Sequence, residues 1–109
     1  EAAFAAAAAG DERAAAAIAV VVDHIGLGLA NMVTVLMPER IVIGGGMAEA
    51  GGALIDAIAA AVRRHCVLVP AEWYEVVPAV LGVHAGAIGA ALWAADRGGS
   101  PRVDPWPTM

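Results

Sequence analysis

The chain has 109 residues, 61% of them hydrophobic, a formal net charge of −5 and six basic residues, all of them arginine. Arg63–Arg64 is the only adjacent cationic pair, which excludes the clustered positive charge that nucleic-acid phosphates need, so no nucleic-acid partner is expected. The single cysteine, Cys66, excludes a disulfide framework or a cysteine-based zinc site within these residues and fits a reducing, cytoplasmic setting.

In chain order, residues 1–9 read as a short alanine-rich helix ended by Gly10. Asp11 is a good N-cap for the next helix, with Glu12 in the first turn where the dipole favours an acid. That helix is expected to run to about Met37 and stop at Pro38. Ile18, Val22, Ile25, Leu29, Met32 and Leu36 recur at steps of three and four and predict its buried face. His24, Gly28, Asn31 and Val35 form a second face, and Gly26 and Gly28 suggest close packing by another element. A membrane span wants about 20 apolar residues. The weakly polar stretch 14–37 carries Asp23, His24, Asn31 and Thr34 inside it, so a buried helix is expected and no membrane contact. The mean hydropathy of +0.74 owes much to alanine, which buries little area, and no charged-then-apolar signal segment opens the sequence.

Residues 40–43 (RIVI) predict a buried strand between Pro38 and Gly44. Residues 48–65 follow as a helix, with Leu54, Ile55, Ile58 and Val62 inward and Arg63, Arg64 and His65 complementing the dipole of its last turn. Residues 73–77 predict a second strand ended by Pro78, residues 82–95 a last helix, and residues 97–109 a disordered tail rich in proline and glycine. Two short buried strands joined by a helix imply parallel pairing with a crossover. Parallel sheets are normally larger and covered on both faces, so residues 1–96 are expected to be part of a larger lobe whose first strands lie upstream. A free strand edge, partly covered helix faces and binding of hydrophobic dyes follow from that expectation.

The chemistry-bearing signal is Gly44-Gly45-Gly46 at the strand-to-helix junction. Glycine there lets backbone approach a ligand near a helix amino terminus. A dinucleotide fingerprint wants G-x-G-x-x-G, and this stretch has no glycine at the last position. A lysine-bearing phosphate loop is excluded by the absence of lysine. A turn needed only for tight packing remains open. Of the other candidates, His24 reads as a satisfied core histidine, Cys66 as a buried structural thiol, and Asp23 as facing away from His24. His65 and His84 with Glu72 or Glu75 lack metal-ligand spacing. Glu49 could meet a ribose or only favour the helix dipole. Trp93 reads as a core or dimer contact.

The series GLGLANMVTVLMPERIVIGGGMAEAG followed by VVPAVLGVHAGAIGAALWA resembles the C-terminal part of the ROK family, which holds bacterial sugar kinases and sugar-responsive repressors. The likeness runs over residues 10–95 and rests on the order and spacing of several individually weak pieces. It implies an α/β fold: the C-terminal portion of an actin-like (ribonuclease-H-like) ATPase lobe, ordered helix-strand-helix-strand-helix. It implies that Gly44, Gly45, Gly46, Met47 and Ala48 form the adenosine motif, with the backbone of Gly45, Gly46 and Met47 against adenine and ribose. The helix around AGAIGAA matches the connecting helix near the lobe hinge. The partners implied are ATP or ADP with Mg²⁺, a sugar held through upstream residues, and further copies of a homo-oligomeric parent. The catalytic aspartate, phosphate loop, sugar site and zinc cysteines of the family all match no residue here, so the chain by itself is expected to be inactive. The departure is Met37, where the family commonly has asparagine, read here as one lost turn hydrogen bond. The well-formed IVIGGGMA segment favours a glucokinase-like enzyme over the repressor alternative.

Overall fold

The computed structural model describes residues 2–46 and 51–97. Helix α1 (Ala2–Ala8) ends at Gly10, and α2 (Glu12–Leu36) begins where Asp11 accepts hydrogen bonds from the amides of Arg13 and Ala14 at 2.9 and 3.2 Å. This cap satisfies two of the amide donors that a helix start otherwise leaves open. Strand β1 (Arg40–Ile43), helix α3 (Gly52–His65), strand β2 (Glu75–Pro78) and helix α4 (Ala85–Arg97) follow, with single 3₁₀ turns at Ala71–Trp73 and Gly82–His84. The strands pair in parallel, Arg40 with Glu75 through Ile43 with Pro78. Among the described residues the sheet has these two strands alone, so each has one edge without a strand partner among them.

The core lies between α2 and α3 and under β2. Val33, Ile58, Ala61 and Val62 are fully enclosed, and Ile41, Ile43 and Val76 of the sheet pack against them. The close approach expected at Gly26 is present: a Cβ there would stand 2.3 Å from the Cβ of Ala61. At Gly28 no described residue comes within 4 Å of an added Cβ. The buried face of α2 is also turned from the expected one. Val22 is buried as predicted, and Ile18, Ile25 and Leu29 pack at the margin, but Gly26, Ala30 and Val33 carry the contact. Met32 and Leu36 are exposed. The apolar residues of α2 reach nearly round the helix, so periodicity alone did not choose the side; the smallest residues did, because only they admit α3. By length and composition α2 would suffice to cross a membrane.

Three further expectations are corrected. Trp73 and Tyr74 are not in β2: Pro70 starts a 3₁₀ turn through Trp73, and the strand begins at Glu75. Pro78 is the strand's last residue rather than its stop, and the ladder continues when the Ala79 amide donates to the Ile43 carbonyl. The last helix reaches Arg97, after a 3₁₀ turn over Gly82–His84, so Arg97 does not belong to a tail; residues 98–109 lie outside the described residues. Met37 also has a different explanation. It is the C-cap of α2 in the left-handed region (φ 48°, ψ 51°), and its amide still donates to Val33. Asparagine tolerates that backbone region better than methionine does, so the departure costs conformational ease, not a hydrogen bond.

Candidate nucleotide site at the glycine turn

Strand β1 delivers the chain to Gly44 at the carboxyl end of the sheet. A Cβ at Gly44 would meet the Cβ of Ala79 at 3.4 Å, so this glycine answers to the neighbouring strand. Gly45 takes φ 80°, a region that side chains disfavour. The space around Gly45 and Gly46 is different in kind: a Cβ at either would find nothing within 4 Å among the described residues. The three glycines therefore differ: the first lies at contact distance from Ala79, and the next two meet no described residue. Met47 and Ala48 of the expected adenosine motif, and Glu49 with them, lie outside the described residues. The turn leads to Gly51 (φ 101°), which caps α3 without a side-chain hydrogen bond.

The polar clusters are elsewhere. Asp23 Oδ1 accepts hydrogen bonds from Arg64 and from His65 Nε2, the latter at 2.8 Å, joining α2 to the last turn of α3. The Arg64 hydrogen bond, then that of His65, holds the Asp23 carboxyl below its ordinary value of 3.8. The sequence placed Asp23 apart from His24 but did not reveal these partners, which are 41 and 42 residues away. The cationic last turn of α3 was the one available signal. His24 is exposed, not in the core, and its Nδ1 lies 2.7 Å from the Val20 carbonyl. Cys66 is buried as expected, with Thr34 Oγ1 at 4.0 Å from its sulfur. The Tyr74 hydroxyl is buried without a hydrogen-bond partner among the described residues. Burial pushes its pKa up, and nearby Cys66 adds to the shift.

No group of three or more metal-ligating side chains forms among the described residues. Arg40 and Glu75 pair across the amino ends of the strands. At that end, too, Met37, Pro38, Glu39, Val69 and Trp73 line a concavity of about 270 Å³. It lies at the opposite end of the sheet from the glycine turn. Trp93 is exposed and lies under the Arg97 guanidinium, 3.9 Å from its ring centroid, so it is not a core residue.

A two-stranded parallel sheet packed with helices defines an α/β protein. The chain belongs to the ROK family, whose pattern matches residues 1–97. It is similar to a glucokinase of Halalkalibacterium halodurans, 41% identical over 73 residues, which make up 63% of this chain and 22% of that protein. Its fold matches the crystal structure of a ROK family glucokinase from Streptomyces griseus in complex with glucose and AMPPNP. There the TM-score is 0.75 at 31% identity, covering 86% of this chain and 30% of the other. The chain thus spans less than a third of the length of either relative.

Proposed function

We propose that this chain is the nucleotide-binding C-terminal part of a cytoplasmic, ATP-dependent sugar kinase of the glucokinase kind, within an actin-like lobe. The observation that carries the reading is the pair Gly45 and Gly46: at the carboxyl end of a parallel sheet, a side chain at either would meet no described residue within 4 Å. The Streptomyces griseus relative was crystallised with AMPPNP and glucose, which supports a nucleoside triphosphate and a hexose as the ligands.

In this reading the backbone of Gly45, Gly46 and Met47 lies against the adenosine, with Gly44 and Ala48 completing the turn. Holding the adenosine fixes the direction of the phosphate chain, and that positioning is the chain's contribution to catalysis. A carboxylate elsewhere in the whole protein takes the proton from the sugar hydroxyl, whose oxygen attacks the γ-phosphorus as the bond to the bridging β-phosphate oxygen breaks and ADP leaves. Mg²⁺, held by groups outside these residues, would supply the charge neutralisation that the phosphates need.

Calorimetric titration of the chain with AMPPNP tests the reading. Gly46→Val puts a branched side chain into the open space without demanding a left-handed backbone, so binding should fall by at least about tenfold at unchanged melting temperature. Unchanged affinity would refute the assignment of the turn. The coding region ahead of Glu1 separates enzyme from repressor: a catalytic aspartate marks the kinase, and a helix-turn-helix without it marks the repressor.

A further inference from the structure

Two exposed tryptophans stand in opposite situations. Trp93 already carries a cation, the Arg97 guanidinium at 3.9 Å from its ring centroid. Trp73 is 57% exposed and has no cation over its ring among the described residues. It is one wall of the concavity of about 270 Å³ at the amino ends of the strands, with Met37, Pro38, Glu39 and Val69 as the others. Val69 is buried and Met37 is the C-cap of α2, so the concavity is built on elements that the core holds in place. The charge left over at this site is negative. Arg40, the neighbouring cation, is paired with Glu75, and Glu39 makes no ion pair among the described residues. The end of α2 at Met37 adds the partial negative charge of a helix carboxyl terminus.

We infer that this concavity binds an organic cation, an alkylguanidinium or alkylammonium group, recognised by the Trp73 ring and the Glu39 carboxylate. An aromatic face attracts a cation through its quadrupole. A carboxylate accepts the charge-assisted hydrogen bonds that such a cation donates, and Met37, Pro38 and Val69 offer apolar surface to its alkyl stem. The volume lies just under the roughly 300–1,000 Å³ of pockets that take drug-sized ligands, which suits one functional group on a short stem. An anion would meet both Glu39 and the helix terminus unfavourably. A hexose would need several hydrogen-bonding side chains, and the lining offers only the Glu39 carboxylate and the Trp73 indole N–H. The inference does not depend on the nucleotide reading, because the glycine turn lies at the other end of the sheet.

The test is nuclear magnetic resonance titration of the isotope-labelled 109-residue chain with butylguanidinium, following the indole N–H signals. Trp73→Leu identifies the Trp73 signal by its disappearance. That signal should shift saturably in the millimolar range expected of so small a ligand, and the Trp93 signal should not follow it. Butylurea, of the same shape without the charge, should leave it unmoved. Glu39→Gln should weaken binding at least about fivefold. Asp56→Asn, at an exposed acid on α3, should leave affinity within about twofold, and both variants should melt with the parent chain. A blocked arginine peptide that binds as well as butylguanidinium would assign the bound group to a protein side chain, and weaker binding would assign it to a free small cation. A Trp73 signal that does not move, an equal response to butylurea, or unchanged affinity in Glu39→Gln would each overturn the inference.

Discussion

Replacing Gly26 by alanine sets two well-measured tendencies against each other. Alanine in a helix interior is favoured over glycine by about 1 kcal/mol, so propensity alone predicts stabilisation. The contact geometry predicts the reverse. The new Cβ would stand 2.3 Å from the Cβ of Ala61, 2.8 Å from its carbonyl carbon and 3.1 Å from its Cα. Carbon atoms settle at about 3.5–4.0 Å, so α2 and α3 must separate by more than an ångström along the main interface of the protein. The obstacle includes backbone, which no rotamer change can move aside. Overpacking of this kind costs about 1–3 kcal/mol, and this site belongs at the upper end.

The net expectation for Gly26→Ala is a loss of about 1–2 kcal/mol, a fall in melting temperature of roughly 5–15 °C for a domain of this size. Gly28→Ala is the internal control. It lies two residues along the same helix with no atom within 4 Å of its added Cβ, so it should gain about 1 kcal/mol from propensity. Adding Ala61→Gly to Gly26→Ala should recover only part of the loss, because the carbonyl carbon remains in the way. Thermal melts followed by far-UV circular dichroism read all four proteins. If Gly26→Ala and Gly28→Ala both raise the melting temperature, the close approach of α2 to α3 is wrong.

Met37→Gly should stabilise by about 0.5–1 kcal/mol, by relieving a left-handed backbone at a residue whose side chain is half exposed; a lower urea midpoint would count against this. Tyr74→Phe removes a buried hydroxyl that has no hydrogen-bond partner among the described residues and should be neutral or stabilising by up to about 1 kcal/mol, whereas clear destabilisation would reveal a hydrogen bond at that oxygen. Asp23 sets a pH dependence. Its carboxyl is held below 3.8 in the fold, so its contribution is present above pH 3.8 and is lost as the pH falls through the lower folded value. Asp23→Asn should therefore lower stability at neutral pH and flatten the acid limb of the melting-temperature profile; an unaltered limb would refute the clamp to Arg64 and His65.

Much of this was legible because local chemistry and tertiary structure agree. Asp11 caps α2, Pro38 follows its end, the RIVI run is a strand, and Gly26 marks a close approach. The errors fall where several solutions satisfy the same local rules. An α2 that is apolar on most sides could present several faces to α3, and the methyl-sized gap at Gly26, Ala30 and Ala61 decided between them. Trp73 has strand propensity, yet Pro70 three residues earlier commits it to a 3₁₀ turn. Asp23 gave no sign of its partners, because the ion cluster forms only once α2 and α3 are side by side. At the glycine turn the sequence did not distinguish the three glycines. Only coordinates put Gly44 at contact distance from Ala79 and leave Gly45 and Gly46 with no described residue within 4 Å.

None of the residues of α4 is buried, whereas α3 buries most of one face. An isolated helix of this length is marginal in water, so α4 holds its hydrogen bonds largely on its own resources. The backbone amides should accordingly fall into two populations in deuterium exchange. Those of Val33, Ile58 and Val62 should open only with the whole fold, and those of Ile88 to Leu92 by local fraying that leaves the rest intact. The same asymmetry makes α4 the segment whose protection should rise most when a partner surface arrives, so its exchange rate reports on docking without any label.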